Sequence, residues 1–204
     1  HAAADNLTRV TLELGGKSAQ VVFPDADLKA AANGEIAGVF AATGQTCMAG
    51  SRLVVHEDVK DALVERVVAR ARTIKIGNPL DPETEMGPMA TDKQYETVLS
   101  HFASAREQGA TFACGGSPVE ALGGWFVEPT VLVDTTTSMR AVQEEIFGPV
   151  VAVTTFADED EAIAIANGTE FGLAGAVWTK DVHRAHRVAA KLRDIRSQGA
   201  LGSD

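Results

Sequence analysis

The chain has 204 residues, 45% of them hydrophobic and 23% charged, and 18 Lys and Arg against 28 Asp and Glu leave a formal net charge of −10. This balance argues against a nucleic-acid or anionic-membrane partner, which needs clustered basic charge, and no apolar run approaches the ~20 residues that span a bilayer. Two cysteines, Cys47 and Cys114, are too few for a secreted disulfide scaffold.

Strand-like and helical segments alternate along the first half of the chain. Val10, Leu12 and Leu14 alternate with polar residues, which predicts a short strand. The spacing that follows predicts a strand over 18–23, a helix from Leu28 to Phe40 capped by Asp25 or Asp27, a strand over 52–56 and a helix from Val59 to Ile74. The prolines and glycines of residues 77–88 predict a long loop.

The second half continues the alternation. It predicts a helix capped by Thr91 that ends before Gly109, strands over 111–114, 125–133 and 149–156, a helix from Asp158 to Asn167, a strand over 173–179 and a helix from Asp181 to Arg193. Strands that alternate with helices predict a layered α/β domain with a mainly parallel sheet and flanking helices. Residues 194–204 lose all periodicity and are interpreted as a frayed or foreign tail.

Small residues surround Cys47 in the run Gly-Gln-Thr-Cys-Met-Ala-Gly-Ser at 44–51, between a predicted helix and a predicted strand. Glycines allow a ligand to approach the backbone closely, and even a small thiolate fraction is strongly nucleophilic. Backbone N–H groups in a tight turn could stabilise an oxyanion beside the sulfur. The alternative is that Cys47 is a small buried hydrophobe.

Glu13 lies between apolar residues in the first predicted strand. If that strand is buried, the carboxylate must find a partner or its pKa rises by desolvation, and a raised pKa suits a general base. The alternatives place Glu13 on the solvent face of the strand or in an ion pair with Lys17.

The run Glu-Glu-Ile-Phe-Gly-Pro at 144–149 places a carboxylate two residues before an aromatic ring. Glu145 could bind a ribose hydroxyl and Phe147 could pack on a flat heterocycle; the alternative is a helix end and a core anchor. No metal site is expected, because His183 and His186 have basic neighbours and no ligand placed to complete a site. The sequence contains neither the Walker pattern nor Gly-x-Gly-x-x-Gly, the two glycine-rich patterns that bind phosphate groups.

Taken together, these stretches resemble one family. Glu-Leu-Gly-Gly-Lys at 13–17, Gly-Gln-Thr-Cys at 44–47 and Glu-Glu-Ile-Phe-Gly-Pro at 144–149 are similar to signatures of the NAD(P)-dependent aldehyde dehydrogenases. Stretches within 77–88 and the run 167–173 also resemble that family. The resemblance covers about residues 5 to 193, and three motifs in the right order make it specific.

The resemblance implies a role for each candidate residue. Cys47 matches the family nucleophile, with its backbone N–H as half of the oxyanion site, and Glu13 matches the base that activates water. Glu145 matches the carboxylate that holds the nicotinamide ribose, and Phe147 matches the ring beside the nicotinamide. The implied reaction oxidises an aldehyde to a carboxylate with NAD or NADP through a thiohemiacetal and a thioester.

The resemblance also divides the chain. Residues 1–14 match the end of the family's coenzyme-binding domain, including its last strand, 15–193 match the catalytic domain, and 194–204 match nothing in the family. Family members are much longer, so we expect a fragment cut at both ends that binds NAD(P)+ negligibly and oxidises no aldehyde by hydride transfer. Micromolar NAD+ binding in a calorimetric titration would contradict this expectation.

By resemblance, the whole enzyme acts on a small aldehyde in the cytoplasm and forms homo-oligomers, while the fragment self-associates through exposed apolar faces. Three alternatives stay open. A CoA-acylating relative is disfavoured by Glu13, because such relatives generally lack this base. A cysteine-dependent esterase needs no nicotinamide, and a non-catalytic binding or structural domain would have an unreactive Cys47.

Overall fold

The structure is a computed structural model that describes residues 2–193, so the tail predicted over 194–204 lies outside the described residues. The helices are α1 (Ala2–Asp5), α2 (Leu28–Phe40), α3 (Lys60–Ala71), α4 (Asp92–Glu107), α5 (Arg140–Gln143), α6 (Glu159–Ala166) and α7 (Val182–Lys191). The strands are β1 (Ala19–Val22), β2 (Arg52–His56), β3 (Thr111–Cys114), β4 (Thr130–Val133), β5 (Val150–Phe156) and β6 (Gly175–Trp178).

The six strands form one sheet in the order β3-β4-β5-β2-β1-β6. Neighbouring strands are parallel except β3, which runs antiparallel to β4 at one edge. The predicted α/β fold with a mainly parallel sheet is therefore confirmed.

Helices cover both faces of the sheet, and alternate strand residues point into the two layers. Val22 packs with α2 and α3 on one face, whereas Val21 packs with α6 and α7 on the other. On that second face, a further cluster joins α4 and α5 to β4 and β5. A strand buried on both faces is apolar at most positions, which explains the continuous apolar runs of the sequence.

Most predicted helices begin at the predicted caps. Asp27 Oδ1 accepts hydrogen bonds from the main-chain N–H groups of Lys29 and Ala30, and Thr91 Oγ1 accepts one from that of Gln94. A side chain that accepts these N–H groups satisfies donors that have no partner within the helix. Asp25, the other candidate cap, instead pairs with Arg184 at 2.8 Å.

The structure corrects two strand predictions. The strand expected over 125–133 begins only at Thr130, and Pro129 directly before it has no N–H to donate to a neighbouring strand. The strand expected over 10–14 is wrong, since these residues form neither helix nor strand. The short helices α1 and α5 were not expected from the sequence.

Among residues 2–193, no helix combines the length and the apolar character needed to cross a membrane.

Glu35 is an acidic side chain inside the core. It lies on the inner face of α2 with Ala31 and Val39, it is fully buried, and neither carboxyl oxygen has a hydrogen-bond partner among the described residues. Burial raises the pKa of Glu35 well above its usual range. The folded protein therefore holds this side chain as a neutral acid at a pH where the unfolded chain ionises it.

We expect Glu35→Met to stabilise the fold. Because its pKa is raised, the contribution of Glu35 to stability is greatest below the ordinary glutamate pKa and falls as the pH rises above it, since the unfolded chain then releases a proton that the folded one keeps. Removing a buried unsatisfied polar group should add about 1–3 kcal/mol to the free energy of unfolding near neutral pH.

Urea unfolding of both proteins between about pH 5 and about pH 8 checks this prediction, and the stability advantage of the variant over wild type should grow as the pH rises. Glu65→Met, which changes an exposed acid on the neighbouring α3, is the matched control and should shift stability little. A Glu35→Met protein less stable than wild type at every pH would contradict the prediction.

Candidate active site

The candidate residues lie in loops that lead into parallel strands. Gly16 precedes β1, Cys47 precedes β2, Glu145 precedes β5 and Leu173 precedes β6. Because these four strands are parallel, their amino ends line up along one edge of the sheet, the edge that runs across the strands. The stretches singled out from the sequence therefore meet at this amino-terminal edge, whereas open α/β sheets commonly bind ligands at the carboxyl ends of their strands.

Gly15 and Gly16 bring the first stretch against the third. The N–H of Gly16 donates to Glu145 Oε1 at 3.0 Å. A β-carbon on Gly15 would overlap the same carboxylate. Gly15 thus allows the Glu145 side chain to lie directly on the backbone, which a larger residue at this position would obstruct.

Gly16 also brings the first stretch against the cysteine. A β-carbon on Gly16 would overlap the main-chain oxygen of Cys47 and would lie 3.2 Å from Leu173 Cβ. The backbone of Cys47 therefore packs onto Gly16, next to the Gly16–Glu145 hydrogen bond.

Gly44 joins the cysteine stretch to the third stretch. Its φ of 68° is left-handed, and a β-carbon there would overlap the carbonyl group of Gly148. Ala42 and Thr43 are left-handed as well, with φ of 49° and 58°, a conformation that is strained for residues other than glycine. Thr43 Oγ1 donates to the carbonyl of Gly87 at 3.2 Å, which ties this strained turn to the long loop.

Two glutamines hold the outer side of the site, and no pattern in the sequence marked either of them as functional. Gln45 Oε1 accepts a hydrogen bond from the N–H of Ala90 at 2.8 Å. Gln94 Nε2 donates to the carbonyls of Ile146 and Phe147 at 2.7 and 3.0 Å. Nothing in the periodicity of α4 marked Gln94, because its partners are set by the tertiary fold.

Cys47 is the accessible thiol of the two. It is half-buried in the turn from Thr46 to Ala49, which the N–H of Ala49 closes onto the carbonyl of Thr46 at 2.9 Å. Cys114 is buried, and desolvation raises the pKa of its thiol. A turn near the surface can direct main-chain N–H groups at an oxyanion more readily than a buried strand end can.

Glu13 is exposed and lies in no strand, whereas the sequence predicted a strand over 10–14 and left its burial open. Its neighbours Val10, Leu12 and Leu14 are 57%, 66% and 57% exposed, because no described element packs on them. The alternative of an ion pair with Lys17 is also wrong, since Lys17 Nζ has no hydrogen-bond partner among the described residues. The solvent-exposed alternative is the one observed, and no described contact joins Glu13 to the cysteine.

Phe147 lies at the same edge with its ring partly exposed, at 37%. Its φ of 53° is left-handed, which is uncommon for an aromatic residue and is typical of functional loops. Glu144, next to Glu145, points outward and accepts a hydrogen bond from Arg140 Nε at 2.6 Å. The alternative of a core anchor does not hold for Phe147, whereas Ile146 between the two is fully buried.

Lys17 is a buried cation beside the site. Burial and the Arg52 guanidinium lower the pKa of Lys17 to about 7, while Glu145 and Glu144 act in the opposite direction. A change in the protonation of Lys17 near neutral pH would therefore change the charge close to Glu145.

The described residues contain no group of three or more His, Cys, Asp or Glu side chains arranged to hold a metal ion. The side chains gathered here are instead a thiol, a carboxylate and an aromatic ring.

Residues 1–195 match the model of the aldehyde dehydrogenase family, and the chain belongs to this family. The resemblance seen in the motifs is thereby confirmed.

Among curated proteins, the chain is 48% identical over 194 residues to a betaine aldehyde dehydrogenase of Brucella anthropi, covering 94% of this chain and 40% of that protein. Among solved structures, it is similar to a betaine aldehyde dehydrogenase of Staphylococcus aureus in complex with NAD+, at 45% identity and a TM-score of 0.88 over 93% of this chain and 38% of that one. A putative aldehyde dehydrogenase of Burkholderia cenocepacia is 52% identical, with a TM-score of 0.89 over 94% and 40%. The chain thus spans about 40% of the length of its relatives.

Proposed function

We propose that the chain forms the nucleophile-bearing part of an NAD(P)-dependent aldehyde dehydrogenase, with 15–193 as the catalytic domain and 1–14 as the end of the coenzyme domain. The observation that carries the proposal is the meeting of Cys47, Gly16 and Glu145 at one sheet edge. Family membership and the NAD+ bound to a relative support it. Cytoplasmic location and assembly into homo-oligomers remain predictions.

The residues present fit a nicotinamide coenzyme. Glu145 is half-buried, and its Oε1 is already held by Gly16, so the carboxylate is fixed in place to accept ribose hydroxyl groups. The partly exposed ring of Phe147 offers a flat apolar surface to the nicotinamide. NAD(P)+ held by Glu145 and Phe147 would supply the hydride acceptor that oxidation of the Cys47 adduct to a thioester needs.

Cys47 and Glu13 carry the remaining steps in this proposal. The Cys47 thiolate attacks the aldehyde carbon, and N–H groups of the turn donate hydrogen bonds to the resulting oxyanion. After oxidation, Glu13 takes a proton from water, and the hydroxide attacks the thioester, releasing a carboxylic acid and the thiolate. Since Glu13 is exposed in the described residues, this step requires the 10–14 segment to reach the cysteine.

The substrate class follows from the relatives. Proteins named betaine aldehyde dehydrogenase match 94% of this chain, which makes betaine aldehyde the first aldehyde to test. Coenzyme binding by these 204 residues alone is expected to be weak, because Glu145 and Phe147 are the only coenzyme contacts that the family pattern assigns to them.

Acyl transfer tests the proposal without coenzyme, because an activated ester delivers the same thioester to Cys47. We expect p-nitrophenyl acetate to place one acetyl group on Cys47, seen by intact mass and by mapping the labelled peptide after an acid quench. A Cys114→Ala protein is the control and should acetylate equally, since Cys114 is buried. A folded chain that acetylates only on lysines would contradict the proposal and favour a non-catalytic domain.

A further inference from the structure

The Gln20 side chain is an amide buried between β1, β6 and α2, with 6% exposure. The Trp178 indole Nε1 donates to Gln20 Oε1 at 2.9 Å, and Gln20 Nε2 donates to the carbonyl of Gly34 at 3.5 Å. An indole N–H can only donate, so it fixes which end of the amide is oxygen and turns the NH2 group toward α2. The indole itself is seated on Gly34, where a β-carbon would overlap its ring.

The same amide supports the end of the cysteine turn. A β-carbon on Gly50 would overlap Gln20 Nε2, and one on Gly38 would lie 2.8 Å from it. The N–H of Gly50 donates to the carbonyl of Gly38 at 3.1 Å. Gly50, three residues after Cys47, is therefore clamped between helix α2 and the Gln20 amide.

Packing alone does not fill this region. Gln20, Gly50, Met48 and Trp178 line a cavity of about 250 Å³. Space of this size beside a turn allows the turn to relax when a polar contact is lost. The upstream end of the turn is held separately, by Gly44 against Gly148.

We propose that Gln20 is a positioning residue for Cys47, and that the hydrogen bond from Trp178 holds its amide in the orientation that clamps Gly50. The inference rests on the proposed role of Cys47 as the nucleophile. Gln20 touches no reacting atom and acts through the backbone of the turn. When the Gln20 amide no longer holds Gly50, the Cys47 thiol becomes more exposed, and the main-chain N–H groups of the turn no longer point at an oxyanion on the substrate.

Two reactions of Cys47 in a Cys114→Ala background separate positioning from stability. Alkylation by iodoacetamide needs only an exposed thiolate, whereas acyl transfer from p-nitrophenyl acetate also needs aligned N–H donors. We expect Gln20→Met to raise the alkylation rate constant and lower the acyl-transfer rate constant, each about tenfold. Trp178→Phe should shift both in the same directions by less.

Gln143→Met is the matched control, because Gln143 Nε2 also makes two hydrogen bonds, to the carbonyls of Thr137 and Gly168, away from the cysteine turn. It should lower thermal stability without moving either rate constant. Equal shifts in the Gln143 variant, or unchanged rate constants in Gln20→Met, would overturn the inference. If Gln20→Met fails to fold, Trp178→Phe decides by the same criterion.

The two proposals fail in different ways. If wild-type Cys47 is not acylated, the proposed function fails, yet alkylation still reports whether Gln20 controls exposure of the thiol. If acylation occurs and Gln20→Met leaves it unchanged, the function stands and the positioning role falls.

Discussion

Replacing Cys47 by alanine is expected to abolish acyl transfer from p-nitrophenyl acetate, with p-nitrophenol release falling to the rate of the ester in buffer. Removal of an essential nucleophile costs up to about 10⁶-fold in rate, so no turnover above background should survive. Cys47→Ser should be nearly as inactive, because a hydroxyl is a far weaker nucleophile than a thiolate near neutral pH.

The fold should tolerate the change. Cys47 is half-buried in a loop, and its side chain makes no disulfide, so alanine should shift the free energy of unfolding by no more than about 1 kcal/mol. Cys114→Ala, which removes the other thiol, should retain full activity. Ester hydrolysis that survives unchanged in Cys47→Ala would transfer the activity to another group and defeat the proposed chemistry.

Local signals predicted most of the fold. Thr91, Asp158 and Asp181 cap their helices as expected, because capping depends only on residues within one turn. The apolar runs at β2 and β5 are buried on both faces, and these runs also predicted the two strands correctly. The strand predicted over 10–14 failed for a non-local reason, since alternation specifies a strand only where a neighbour pairs with it and covers its apolar side.

The site was predictable as a set of motifs but not as contacts. Each motif directly precedes a strand, and a parallel sheet brings such loops to one edge, which the sequence order alone could have indicated. The approach of Gly44 to Gly148 or of Gly16 to Cys47 depends on backbones far apart in the chain, which no local pattern encodes.

For two buried polar residues, Gln20 and Glu35, the sequence pattern indicated burial but nothing more. Gln20 stands within the apolar run that forms β1, where a polar residue must find partners, and the structure provides them in Trp178 and Gly34. Glu35 stands four residues before Val39, on the same helix face, so the helical period placed it inward. Neither signal shows that Gln20 finds hydrogen-bond partners while Glu35 finds none among the described residues, because that outcome depends on how α2 packs against the sheet.

Gly44→Ala should be the most disruptive single change to the fold of the site. A left-handed φ costs a residue other than glycine about 1–2 kcal/mol, and a β-carbon forced into the Gly148 carbonyl adds about 1–3 kcal/mol because backbone cannot move aside as a side chain can. For a chain of this length, such a loss lowers Tm by roughly 10 °C.

Gly109→Ala is a control that separates the cost of overlap with the Gly148 carbonyl from the cost of the left-handed φ. Its φ is 85°, also left-handed, but a β-carbon there would have nothing within 4 Å. Gly109→Ala should therefore lose only the conformational part, about 1–2 kcal/mol, and should leave the alkylation rate of Cys47 unchanged. Gly44→Ala should lose more and should also alter that rate, because Gly44 begins the turn that holds Cys47. Equal losses of stability in the two variants, measured by thermal and urea unfolding, would show that the cysteine stretch is not packed against Gly148 in solution.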